Sequence, residues 1–254
     1  MPDLQLSFIE VVNRLKFLNF VKTTSEDQRE SRLKGKFKHL CGRIYSQYKD
    51  QYSPNGHLVK PFKIPSDWQV TVMIDFHLAI EQAVGFYTVD PMGRKYLIDE
   101  IWQKLLIPDV AHEIIRKKRQ MGWRIDKCYI DPFSKGDDKI AQSRLGQVES
   151  AYEIIRKILL KEDIILDVAD KAKTSGILLV QEALEGIAGM PTFFVFDHCR
   201  RFRYEIKKYI WKDGYPIDED DHMMENTYRY LITKPRYVSR ESLTCKQEPV
   251  LGIV

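Results

Sequence analysis

The sequence predicts an α/β fold: a mixed sheet, made of an antiparallel meander followed by parallel strands, with helices on both faces. Three observations carry this expectation. Strand-like runs at 69–76, 82–89 and 95–101 follow one another too closely for crossover helices, so they read as a meander. From residue 109 onward helical and strand-like segments alternate, which lays later strands parallel to one another. A chain of 254 residues with 44% apolar content is long enough to bury a full core.

Taken in order, residues 1–40 read as mostly helical, because Phe8, Ile9, Val11, Val12, Leu15, Leu18 and Phe20 make an apolar stripe. Gly42, Pro54, Gly56, Pro61 and Pro65 mark 41–68 as a turn-rich connector with short strands. The run Gln69-Val70-Thr71-Val72-Met73-Ile74-Asp75-Phe76 opens the core, and Asp90-Pro91-Met92-Gly93 supplies the turn between the second and third strands. A helix over 109–121 follows Pro108 and closes at Gly122. Next come strand 125–131, a polar loop over 132–143, and a helix over 145–160, where Leu145, Val148, Ala151, Tyr152, Ile155 and Leu159 recur at helical spacing. A short strand at 164–168 precedes a helix over 174–186. Strand 192–196 leads into a helix over 198–210, then a loop from Trp211 to Pro216 and a last helix ending at Leu231. Residues 236–254 read as a flexible polar tail. This is the order expected of a ribonuclease-H-like fold occupying 69–235.

Composition narrows the function. No apolar run approaches the ~20 residues needed to span a bilayer, and no export signal opens the chain. Cys41, Cys128, Cys199 and Cys245 are widely spaced without a CxxC pair, which argues against structural zinc and fits a reducing cytoplasm. A net charge of +4 does not identify a nucleic-acid binder by itself. Arg116-Lys117-Lys118-Arg119, Arg200-Arg201-Phe202-Arg203 and Lys34-Gly35-Lys36-Phe37-Lys38 read equally as phosphate contacts or as solvated helix faces. GxxxxGK[ST], GxSxG, HExxH and GxGxxG are all absent.

The acids are the chemical signal. Asp75 and Asp131 each stand at the end of an apolar strand, where a carboxylate is costly to desolvate unless a cation or donor meets it. Asp218-Glu219-Asp220-Asp221-His222-Met223-Met224-Glu225 opens the last helix. Asp221 and Glu225 are four apart and His222 and Glu225 three apart, so they share a face. Hard oxygen ligands suit Mg2+ or Mn2+, and phosphoryl chemistry often uses two such ions. Asp75 is the natural bridging ligand, with Asp131, Asp221 and Glu225 as partners and His222 orienting a ligand or moving a proton. Structural readings stand beside these: Asp131-Pro132 as a turn, Asp218 as a helix cap, Glu225 paired with Arg229, and His222 as a surface histidine.

Arg32-Leu33-Lys34-Gly35-Lys36-Phe37, Gly42-Arg43-Ile44-Tyr45 and His57-Leu58-Val59-Lys60-Pro61-Phe62-Lys63-Ile64-Pro65 resemble the segment joining motor to nuclease in the large terminase subunit of tailed bacteriophages. Met73-Ile74-Asp75-Phe76-His77 and Tyr129-Ile130-Asp131-Pro132 resemble the two catalytic strands of its carboxy-terminal nuclease domain. Lys171-Ala172-Lys173 is similar to a basic stretch before the next helix, and Asp221-His222-Met223-Met224-Glu225 with Tyr228-Arg229-Tyr230 resembles the closing DHxxDAxRY pattern. The resemblance runs from about residue 25 to residue 232. It implies a ribonuclease-H-like, Mg2+- or Mn2+-dependent endonuclease, using two ions, that cuts concatemeric double-stranded viral DNA in the host cytoplasm. It also implies the small terminase subunit and the portal as partners, and an ATPase motor domain whose phosphate-binding motif this chain lacks; residues 1–40 then read as its remnant or a linker. Lys173, Arg200, Arg201 and Arg203 are expected to hold the DNA backbone. The pattern departs at Glu225, where the family has Asp, and at Asn226-Thr227. Two rival readings are a catalytically weak or inactive DNA-binding or docking module and a Holliday-junction-resolvase-like nuclease.

Overall fold

A computed structural model describes residues 42–77, 80–132, 141–142 and 148–239. The predicted helical segment 1–40 and the tail from 240 onward lie outside the described residues. Contacts divide the chain into two compact units, with Ile210–Ile217 in one and Arg43–Tyr209 together with Asp218 onward in the other.

The larger unit is built on seven strands: β1 (Leu58–Val59), β2 (Gln69–Asp75), β3 (Gln82–Val89), β4 (Lys95–Gln103), β5 (Arg124–Ile130), β6 (Ile165–Val168) and β7 (Phe193–Phe196). They lie in the order β1-β7-β4-β3-β2-β5-β6. The meander is the expected one: Asp75 pairs with Ala83 and Val84 with Ile101 in antiparallel ladders. β5 and β6 extend it in parallel on one side, β7 and β1 on the other. The turn from β3 to β4 is held by Asp90, whose Oδ1 accepts the Met92 and Arg94 amides at 2.9 and 2.8 Å, while Gly93 takes the positive φ of 80°.

Among the described residues five helices cover the sheet: α1 (Ile107–Met121), α2 (Ala151–Leu160), α3 (Lys173–Glu185), α4 (Arg200–Lys208) and α5 (His222–Ile232). Every residue of β3 is buried, because both faces are covered. Two successive β3 residues show this. Phe86 packs on Trp123 just beyond α1, with ring centroids 5.4 Å apart, and beneath Lys117 of α1. Tyr87 turns to the other face, stacks on Tyr230 of α5 at 4.5 Å and meets the Thr227 hydroxyl at 3.0 Å. Helix α5 also packs closely on α3: a Cβ at Gly176 would lie 2.6 Å from the Tyr228 ring, so glycine is what admits this approach.

Three boundaries differ from expectation. The helix read over 145–160 begins only at Ala151, because Ser150 and Glu153 form a capping box; residues 148–149 instead pair with 141–142 in a short antiparallel ladder. The segment from Trp211 to Pro216, read as a loop, is a hairpin in which Ile210–Lys212 pairs with Tyr215–Pro216. Asp213 and Gly214 both take positive φ, 52° and 83°, as a two-residue hairpin turn requires. The last helix starts at His222, partway along the acidic run and not at its beginning, since Asp220 sits at φ 50° and interrupts helical geometry.

Candidate metal centre

Three elements deliver the acids to one end of the sheet, beyond the carboxyl ends of two interior strands. Parallel pairing of Ile74 with Ile130 sets the ends of β2 and β5 level, and the Asp131 amide donates to the Ile74 carbonyl at 3.0 Å. Asp75 and Asp131 therefore emerge side by side, both buried. Helix α5 brings Glu225 in its first turn. Asp75, Asp131 and Glu225 each offer an oxygen, and these atoms all lie within 4.8 Å of one another. Such a hard-oxygen set suits Mg2+ or Mn2+.

The protein's own cations sit against this cluster. Arg229, one turn along α5 from Glu225, donates from Nη1 to Asp75 Oδ1 at 2.8 Å and from Nη2 to Asp131 Oδ2 at 2.5 Å. It also bonds Glu225 Oε2. Lys173, at the start of α3, reaches Glu225 Oε1 at 2.9 Å and Asp221 Oδ2 at 3.1 Å, and Lys171 lies 3.8 Å from Asp131 Oδ1. Among the described residues, four carboxylates thus face the cationic side chains of Arg229, Lys173 and Lys171. Burial disfavours the Arg229 charge, but Asp75 and Glu225 outweigh it and hold the guanidinium above its usual range. Burial likewise pushes the Asp221 carboxyl up, with Lys173 pulling the other way.

The second oxygen of Asp75 has different company. Its Oδ2 lies 2.9 Å from His77 Nε2 and 3.0 Å from His222 Nδ1. Burial pushes the Asp75 carboxyl up, yet hydrogen bonds from His222 and His77, with the Arg229 charge, overcome it and leave the group far below the carboxylate range. His222 in turn stacks on Trp102 at 5.5 Å.

Helix α5 is positioned from outside the site. Its N-cap residue, Asp221, makes no side-chain cap bond. Instead Glu205 of α4, fully buried, accepts the Met223 amide at 2.6 Å and the Met224 amide at 3.4 Å. The start of α4 is held the same way: Glu100 of β4 accepts the Arg201 and Phe202 amides at 2.7 and 3.0 Å. Burial drives the Glu205 carboxyl from 4.5 up to about 7, against the pull of Arg201 and the Met223 amide. A folded-state value above the unfolded one means that protonation favours the fold. That contribution is complete below about pH 4.5 and is lost as pH rises through about 7. In Glu205→Gln, the fall in stability between pH 5 and pH 8 is expected to shrink, as urea titrations at the two pH values would register.

The predicted site residues separate into two groups. Asp75, Asp131, Asp221, His222 and Glu225 come together with Lys173. Of the arginines expected at the DNA backbone, Arg200 is exposed. Arg201 bonds Glu205 and Asp220, both at 2.6 Å, and lies 3.7 Å from the Trp102 ring centre. Arg203 forks onto Asp50 at 2.8 and 3.1 Å. Sequence reading missed three contributors: His77, Glu205 and the triple role of Arg229. The Asp75-x-His77 spacing did carry a signal, since alternate residues of an extended chain face the same way. Asn226 and Thr227, the departures from the closing pattern, are buried and bonded: Asn226 donates to the Ala83 carbonyl at 3.0 Å and Thr227 to the Met223 carbonyl at 2.6 Å.

No family model and no curated protein matches the chain. Solved structures do. The large terminase nuclease domain of P22 is 16% identical, with a TM-score of 0.54 over 81% of this chain and 98% of that one. The large terminase of a thermophilic bacteriophage is 16% identical, with a TM-score of 0.58 over 83% of this chain; the chain spans 53% of its length. The same terminase in complex with ADP also gives 0.58, over 84% of this chain. No described helix is long and apolar enough to cross a membrane. With its meander, parallel extension and acids at the ends of neighbouring strands, this chain has the ribonuclease-H-like fold of phage large-terminase nuclease domains.

Proposed function

We propose that the chain is a metal-dependent endonuclease of viral DNA packaging, cutting concatemeric double-stranded DNA into genome lengths. The observation that carries this reading is the convergence of Asp75, Asp131 and Glu225 at the ends of two neighbouring strands, in a chain with the fold of the P22 nuclease domain. These three residues, with Asp221, would hold two Mg2+ or Mn2+ ions. Bound ions of this kind lower the pKa of a water and screen the charge of a leaving oxygen. Asp75 has the central part, since one of its oxygens faces the other carboxylates and the second faces two imidazoles. His222 orients Asp75 and is placed to take a proton. Arg200 holds the phosphate backbone; Lys173, Arg201 and Arg203 reach it only by exchanging their carboxylate partners, Glu225 and Asp221, Glu205 and Asp220, and Asp50, for phosphate. The partners in this reading are an ATPase motor domain, the small terminase subunit and the portal, in the host cytoplasm.

One observation favours a second reading. Arg229 and Lys173 already meet every acid of the cluster, an arrangement that suits a non-catalytic DNA-docking module as well. Supercoiled plasmid incubated with EDTA, Mg2+ or Mn2+ separates the two. Nicked and linear products with either metal, and none with EDTA, are expected. DNA binding without cutting in any metal overturns the nuclease and leaves the docking module.

A further inference from the structure

We infer that Asp75, His77 and His222 form a distinct site for a nitrogen-loving transition-metal dication, which fills before the carboxylate site. This rests on the reading of Asp75 as a metal ligand and adds the class of ion and the order of loading. Each of the three residues offers one donor atom within 4.8 Å of the others. The two ring nitrogens converge on a single oxygen, Asp75 Oδ2, at 2.9 and 3.0 Å. Two imidazoles and one carboxylate form a donor set suited to Fe2+, Co2+ or Zn2+, whereas Mg2+ and Mn2+ favour oxygen ligands.

The rings are also held in place. His77 meets His222 edge-on with centroids 4.2 Å apart, and Trp102 stacks on the same His222 at an angle of 25°. The Arg201 guanidinium also packs on Trp102, 3.7 Å from the ring centre, and is itself tied to Glu205. The His222 ring is therefore fixed by packing before any cation arrives, as a preorganised ligand should be.

The order of loading follows from what opposes each site. At the carboxylate side a cation must displace Arg229 from Asp75, Asp131 and Glu225. A guanidinium stays charged and has no lone pair to offer, so it competes with the ion directly. At the imidazole side no guanidinium among the described residues has to leave: each ring gives up the proton it shares with Asp75 Oδ2, and that nitrogen then presents a lone pair to the ion. Asp75 joins the two sites through its separate oxygens, Oδ1 towards Arg229 and Oδ2 towards the histidines.

The test is a titration of the whole, metal-free chain with Co2+ alone, following visible absorption and tryptophan fluorescence quenching. His77→Gln, His77→Ala and Glu225→Gln are titrated beside it. His77 lies beyond the end of β2 and is partly exposed, so both variants are expected to keep the fold, as circular dichroism would register. Expected are nitrogen-ligand absorption bands in the wild type, quenching of Trp102, binding at least ~10-fold weaker in the His77 variants, and binding retained in Glu225→Gln. Millimolar Mg2+ is expected not to displace the Co2+. Binding untouched by the His77 changes but lost in Glu225→Gln overturns the histidine site and leaves the nuclease reading standing. The same follows if Co2+ does not bind while Mg2+ supports plasmid cleavage. Loss of both Co2+ binding and cleavage overturns both readings.

Discussion

Replacing Arg229 by alanine is expected to destabilise the folded chain by about 3–5 kcal/mol, the range for breaking a buried ion pair from one side. Its guanidinium is the direct counter-charge of Asp75, Asp131 and Glu225, two of which are buried. Without it three carboxylates repel one another where water screens them poorly. Added divalent cation should then recover part of the loss, because an ion that binds only the folded state stabilises it in proportion to ln(1 + [L]/Kd). Urea titrations of wild type and Arg229→Ala, each with EDTA and with Mn2+, test this. The variant should gain more from Mn2+ than the wild type does. Equal gains would show that Arg229 and metal do not compete for the same acids.

The second large effect is expected from Asp75→Asn. The amide keeps the shape and one acceptor oxygen but removes the charge at the centre of the cluster. Charge stabilisation by metal is worth several kcal/mol in such sites, so plasmid cleavage should fall by ~10³-fold or more. The fold should survive, since the change also relieves Arg229 of only one of its three carboxylates. Circular dichroism at matched concentration would show this. Cleavage that persists in Asp75→Asn with an unchanged metal dependence would remove Asp75 from the reaction.

The acids of the centre were legible for a physical reason. A carboxylate closing a run such as Val72-Met73-Ile74 conflicts with its surroundings, and only a ligand or counter-charge resolves the conflict. The meander was legible too, because its strands are separated by spans that leave no room for a helix. Helix starts were harder. The apolar periodicity of Leu145 and Val148 ran past the Ser150 cap, which fixes the start of α2 by hydrogen bonds that hydropathy does not register. The carboxylates that cap α4 and α5 left no local trace at all, since Glu100 acts on Phe202 across 102 positions of sequence. Arg229 was visible as the i+4 partner of Glu225, but its reach to Asp75 and Asp131 depends on the sheet register.

The chain of caps running from Glu100 to α4 and from Glu205 to α5 bears on how such a centre can change over generations. Neither carboxylate touches the acidic cluster, yet together they decide where His222 and Glu225 stand relative to Asp75. Shortening Glu205 by one methylene would draw the start of α5 by roughly 1 Å, a displacement that can alter a rate ~100-fold. Drift at residues 100 and 205 can therefore shift the geometry of the centre while every one of its acids keeps its identity.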